Sequence, residues 1–177
     1  MTMILQTNPL REGPALPDDL SLYIGKKTLV LWILDILDDL NLRRPGAANE
    51  INFSRPAVMI TLLTYCYATG LYGSEEVQLA SQHDSMIRYL CARSYPDPSE
   101  IRTFRRYNRE RIAEGLAGVL RRVWEIRFWA EDAVPIGHGR GTSLAGRMGV
   151  KATPNFRLEA ERRIARAVRM DCMALDE

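Results

Sequence analysis

Apolar residues recur every three to four positions along nearly the whole of this chain, and no stretch sustains the strict alternation of a half-buried strand. An amphipathic helix must cover its apolar stripe, so a chain with several such stripes is confined to helix-on-helix packing. The pattern therefore predicts an all-α protein: a compact helical bundle. The first helix is expected over Lys27–Leu40, with Leu29, Trp32, Ile33, Ile36, Leu37 and Leu40 as its stripe. Ser54 as cap and Pro56 in the first turn open a second, which Gly70 stops after Thr69. A third starts at Ser74, where Glu75 and Glu76 suit the positive helix end, and runs to about Gln82. A short helix over Ser85–Cys91 follows. Asp97 as cap, Pro98 at the first position and Glu100 at the third then open one long helix, expected to reach Phe128. Gly115 and Gly118 cost it about 1 kcal/mol each.

The 177 residues suffice for one ordinary domain with a real core. Pro9, Pro14 and Pro17 make residues 1–17 an arm, and 18–130 the helical domain. The glycines and prolines of 131–154 make a linker, and 155–177 a C-terminal amphipathic helix with Phe156, Ala160, Ile164, Ala167 and Val168 on one face. The longest uncharged stretch, Ala57–Ser74, is too short and too polar for a membrane span and reads as a buried helix. The N-terminus lacks a basic region followed by an apolar core. Cys66, Cys91 and Cys172 are odd in number and widely spaced, which suits reduced thiols. A cytoplasmic protein, with no membrane association, is expected.

Charge is distributed unevenly. Residues 1–100 carry 8 basic and 12 acidic groups, a net of −4, whereas residues 101–177 carry 16 and 10, a net of +6. Of the 24 basic residues 21 are Arg, which suits phosphate recognition, although a GC-rich coding bias gives the same excess. At the start of the long helix Arg102, Arg105, Arg106 and Arg109 stand at i, i+3, i+4 and i+7, beside an apolar stripe of Ile101, Phe104, Ile112, Leu116, Val119 and Val123. A row of like charges repels itself unless something anionic neutralises it. Double-stranded DNA is the natural partner, since Arg binds phosphate or guanine edges bidentately. The competing reading is a solvated face paired with Glu100 and Glu110. The helices at 74–82 and 85–91, with a turn at His83–Asp84, can be laid out with the Arg-bearing helix as a helix-turn-helix cluster. Phe104 and Trp124 are expected as core anchors, with Val123 and Ile126 extending the seam into a dimer contact.

Catalytic patterns are weak. Ser81, His83, Asp84 and Ser85 are too close in sequence to converge as a triad and read as a polar helix junction. Asp35, Asp38 and Asp39 read as a polar face rather than a cation site. Gly137–Thr142 lacks the Lys and preceding strand of a phosphate loop. No catalytic residue, metal, cofactor or small-molecule substrate is expected. Arg157, Arg162, Arg163, Arg166 and Arg169 on the last helix would extend a nucleic-acid surface, although Glu159 and Glu161 weaken that reading.

Leu62–Gly70 fits a Leu-Leu-x-Tyr-x-Tyr-x-x-Gly pattern, Ser74 leads a helix ending at Asp84, Arg88-Tyr89-Leu90 follows, and Pro96–Arg106 reads Pro-Asp-x-x-x-Ile-x-x-Phe-Arg-Arg. Over residues 18–128 the chain thereby resembles the N-terminal domain of InsH-type insertion-sequence transposases, the module preceding an Asp-Asp-Glu nuclease. The resemblance implies a DNA-binding, self-associating module that recognises transposon ends, with Arg88, Arg102, Arg105, Arg106 and Arg109 as DNA contacts. Further partners would be a second copy or a full-length transposase. Gly73-Ser74-Glu75 departs from the family's Ser-Ser-Arg at this point. The 47 residues after 130 are too few for such a nuclease domain and show no Asp-Gly-Thr-like segment, so the chain is expected not to cut or join DNA. The alternative is a helical interaction module without DNA affinity of its own, which Glu75 and the acidic first 100 residues favour.

Overall fold

The computed structural model describes residues 16–44, 55–92, 95–126 and 153–175. Among them every regular element is a helix: α1 (Ser21–Ile24), α2 (Lys26–Asp39), α3 (Pro56–Ala68), α4 (Ser74–His83), α5 (Ser85–Cys91), α6 (Pro98–Tyr107), α7 (Arg109–Trp124) and α8 (Phe156–Leu175). The uncharged stretch became α3, and all of its residues from Met59 to Ala68 are buried. A helix apolar all round can only be central, and α2, α5, α7 and α8 pack around it. No helix among the described residues is long and apolar enough to cross a membrane.

The capping chemistry works largely as the sequence indicates. The Asp97 carboxylate accepts from the Glu100 amide at 2.8 Å, with Pro98 opening α6. Asp84 closes α4 and caps α5 alone, accepting from the amides of Met86 at 2.8 Å and Ile87 at 3.1 Å. Lys26 also binds it, at 2.8 Å. Glu76 reaches back to the Gly73 amide at 3.2 Å. Pro56 does open α3, but Arg55 holds the cap position without a capping side-chain bond, its guanidinium donating instead to the Ala92 carbonyl at 3.2 Å, and the expected cap Ser54 lies outside the described residues.

Several expectations need correction. The long helix is two helices that meet at Asn108, whose φ of −114° and ψ of 22° leave the helical well. Asn108 is buried and polar; its side-chain amide donates to the Phe104 carbonyl at 3.2 Å and its side-chain oxygen accepts from Arg111 at 3.1 Å. Its backbone amide also bonds the Phe104 carbonyl, at 2.9 Å, so side chain and backbone share one acceptor where the chain leaves helical geometry. The arm is anchored at its end, because Leu16 is buried in the core; residues 1–15 lie outside the described set, as does 127–152, most of the expected linker. Leu40 and Val168, expected on apolar stripes, are only partly covered, at 38% and 39% exposed. The C-terminal helix is no appendage: α8 packs against α3, α4 and most extensively α7, burying Phe156, Ala160, Ile164 and Ala167.

Phe104 and Trp124 are core residues as expected. Val123 is too, so it is consumed inside its own chain and cannot reach a dimer partner, whereas Ile126 is exposed. The two glycines of α7 mark where α2 crosses it. A Cβ on Gly115 would lie 2.5 Å from Leu37 Cδ2, and one on Gly118 2.8 Å from Ile36 Cγ2. Gly115→Val is therefore expected to cost about 1–3 kcal/mol by overpacking. Chemical denaturation measures it, and unchanged stability would refute this account of the crossing.

Candidate nucleic-acid interface

The four arginines of the row line one groove of about 320 Å3 between α6–α7 and α8, but they do not share one environment. Arg105 is only 5% exposed. It forms a salt bridge with Asp171 of α8 and donates to the Tyr67 hydroxyl at 3.2 Å. Asp171 in turn accepts from the Ser74 amide and hydroxyl, both at 2.7 Å. One buried pair thus joins α3, α4, α6 and α8. Burial works to raise the Asp171 carboxyl, but the hydrogen bonds from Arg105 and Ser74 prevail and hold it below the ordinary carboxylate range. The Tyr67 hydroxyl is pushed up to about 12 by burial, against the pull of Arg105.

Arg105 is therefore no DNA contact. It stands four residues after Ile101, about 40° around the helix, and so belongs to the core edge of the row. Arg109 is exposed but engaged, donating to Glu161 of α8 through Nε at 3.1 Å and Nη2 at 2.9 Å. Arg157 completes that cluster by pairing with Glu110 and, at 3.3 Å, with Glu161. Arg102 and Arg106 remain. Arg102 is partly buried and Arg106 exposed, and neither carries a hydrogen bond or ion pair among the described residues. Arg88 is exposed on α5, in a separate depression with Ser85, Tyr89 and Tyr95.

Other arginines serve the fold, which sequence reasoning overlooked. Arg163 of α8 is 2% exposed and donates to the carbonyls of Pro17, Asp18 and Tyr67 at 2.6, 3.0 and 2.9 Å. Arg111 holds the carbonyls of Leu42 and, at 2.7 Å, Arg44. Arg122 lies over Trp32, Arg121 over Phe156 and Arg166 over Tyr72, at 5.4, 5.9 and 5.0 Å from the ring centres. Arg166 also pairs with Asp18 at 2.9 Å. Arg169 is exposed on the same helix. Much of the arginine excess is thus structural.

Ser81 and Asp84 are engaged at the junction of α4 and α5. Ser81 donates to the Gln78 carbonyl at 2.6 Å, and Asp84 is occupied as a cap. Asp35, Asp38 and Asp39 are exposed, with Asp38 paired to Arg43 at 2.8 Å. Gly137–Thr142 lies outside the described residues. No group of three His, Cys, Asp or Glu able to hold a metal occurs among the described residues. Cys66 and Cys91 are buried thiols, both pushed up by burial, and Cys172 is an exposed one. Comparison of the chain with protein-family models, with curated proteins and with solved structures finds no match.

Proposed function

We propose that the chain is a non-catalytic, transposase-derived module that binds double-stranded DNA, for transposon-end recognition or for regulation of transposition or transcription. The observation that carries the reading is the pair Arg102 and Arg106. They sit one turn apart on a helix anchored on its opposite side by Phe104 and at the edge of the row by Arg105, and no carboxylate among the described residues engages them. A helix held this firmly fixes where both side chains begin, so only their own rotamers are left to be ordered when they meet phosphates. Arg109 can join them by exchanging Glu161 for phosphate. The transposase-like pattern of residues 18–128 supports the same reading, as does the helical cluster formed by α4, α5 and α6.

Two phosphate contacts predict that affinity falls with salt at a logarithmic slope near ~−1.8, and three near ~−2.7, not the ~−3.6 of a four-arginine grip. The double substitution Arg102→Ala/Arg106→Ala is expected to flatten that slope by about 1.8, while changing stability by less than about 0.5 kcal/mol. Fluorescence anisotropy across a salt series measures the first and thermal unfolding the second. An unaltered slope, or no binding of the parent chain to any duplex, refutes the reading.

A second reading, a helical homodimer or a partner of a full-length transposase without DNA affinity, draws on a different observation. Leu22 and Leu31 are 81% and 61% exposed, and Glu75 and Glu76 lie exposed at the start of α4. Size-exclusion chromatography with and without duplex separates the two: a dimer that ignores DNA favours the second.

A further inference from the structure

The groove beneath the arginine row has a chemistry that a DNA backbone does not use. At its base the Arg105–Asp171 pair is self-neutralised, and Arg109 is balanced by Glu161. Its cationic character therefore comes from Arg102 and Arg106. Its far wall is apolar at Val168, which is 39% exposed, with the fully buried Ile164 behind it. The volume, about 320 Å3, stands at the small end of ligand pockets. Side chains at i and i+4 start about 5–6 Å apart, so both guanidiniums can converge on one phosphate group, each through two N–H donors. A duplex phosphodiester carries a single charge and belongs to a stiff rod that spans the groove mouth, which leaves the apolar wall uncovered.

We infer that the groove between α6 and α8 is a binding site for a small organic dianion, a phosphomonoester with a compact apolar or aromatic body. Its phosphate takes Arg102 and Arg106, and its body covers Val168. A ligand so placed occupies the two cations assigned above to the DNA backbone, so it acts as a competitive effector; this second half rests on the DNA-binding reading, while the site itself does not.

The chain carries its own reporter. Cys172 lines this groove and is exposed, whereas Cys66 and Cys91 are buried. The rate at which a neutral aromatic disulfide reagent modifies Cys172 in the folded full-length chain therefore measures occupancy. Phenyl phosphate is expected to slow the reaction, with half-effect at a concentration at least about tenfold lower than inorganic phosphate requires, since apolar burial adds to charge. Arg102→Ala/Arg106→Ala and, separately, Val168→Asp should each abolish that preference; circular dichroism checks that both variants are folded. The same phenyl phosphate concentration should release a labelled duplex from the parent chain. Equal protection by phosphate and phenyl phosphate would mean charge screening alone and overturns the site. Protection of Cys172 without release of a bound duplex upholds the site and overturns the competition. Protection in a chain that binds no duplex upholds the site and refutes the DNA reading instead.

Discussion

Arg105→Ala is expected to lower the unfolding free energy by about 3–5 kcal/mol, the usual consequence of leaving one member of a buried ion pair uncompensated. The stranded partner would be Asp171, 4% exposed, with Ser74 as its remaining donor. For a chain of this size that is a fall in melting temperature of roughly 10 °C. Replacing both partners, as Arg105→Met/Asp171→Leu, should recover most of the loss, because an apolar pair no longer asks for desolvated charge to be balanced. The Asp171 carboxyl lies below its unfolded value, so its contribution is complete above the unfolded carboxyl pKa of about 3.9. It is lost as pH falls through the lower folded value. Asp171→Asn should therefore reduce the parent chain's stability advantage at neutral pH and blunt its acid sensitivity below about pH 4. If Arg105→Ala unfolds like the parent while losing DNA affinity, the assignment of Arg105 to the core is wrong and the original four-arginine row returns.

The second large effect is expected at Arg163. The carbonyl of Tyr67 belongs to the last turn of α3, where carbonyls have no partner within the helix. Arg163 supplies one at 2.9 Å and places its charge at the negative helix end. The same guanidinium holds the carbonyls of Pro17 and Asp18 where the chain enters the bundle, while Nε donates to Glu159 at 3.1 Å. Arg163→Met would fill similar space but leave three carbonyls without their donor, at about 1–3 kcal/mol for each that stays buried. A total near ~4 kcal/mol is expected once water reaches the outer two. Arg163→Lys should recover less than half, since a single ammonium cannot fork between three acceptors. Denaturant titration gives the magnitude. Limited proteolysis near Pro17 should become faster in Arg163→Met, and unchanged cleavage there would contradict the anchoring role.

These two residues show how much of the candidate site was legible. Each lies four positions from a member of an apolar stripe, Arg105 from Ile101 and Arg163 from Ala167, about 40° around its helix. Asp171 also follows Ala167 by four. Periodicity places all three at the edge of an apolar stripe, but a row of arginines at helical spacing looks the same whether it meets solvent or another helix. The pattern over Pro96–Arg106 is likewise largely one of packing: Pro96, Ile101, Phe104 and Arg105 are buried, as are Leu62, Leu63, Tyr65 and Tyr67 of the earlier pattern. Arg106 is exposed and Arg102 only partly buried, so these two are not consumed by that packing.

What the amino-acid order determined by itself is local. Apolar period and caps such as Asp97 and Asp84 act through neighbours a few residues away, so the starts of α5 and α6 follow from them, whereas the break at Asn108 does not. What only the tertiary structure decided is which charges are spent inside. Asp171 meets Arg105 from 66 positions away, and Glu161 meets Arg109 from 52. A guanidinium's role depends on whether a distant carboxylate or carbonyl reaches it before solvent does, and no local pattern encodes that distance.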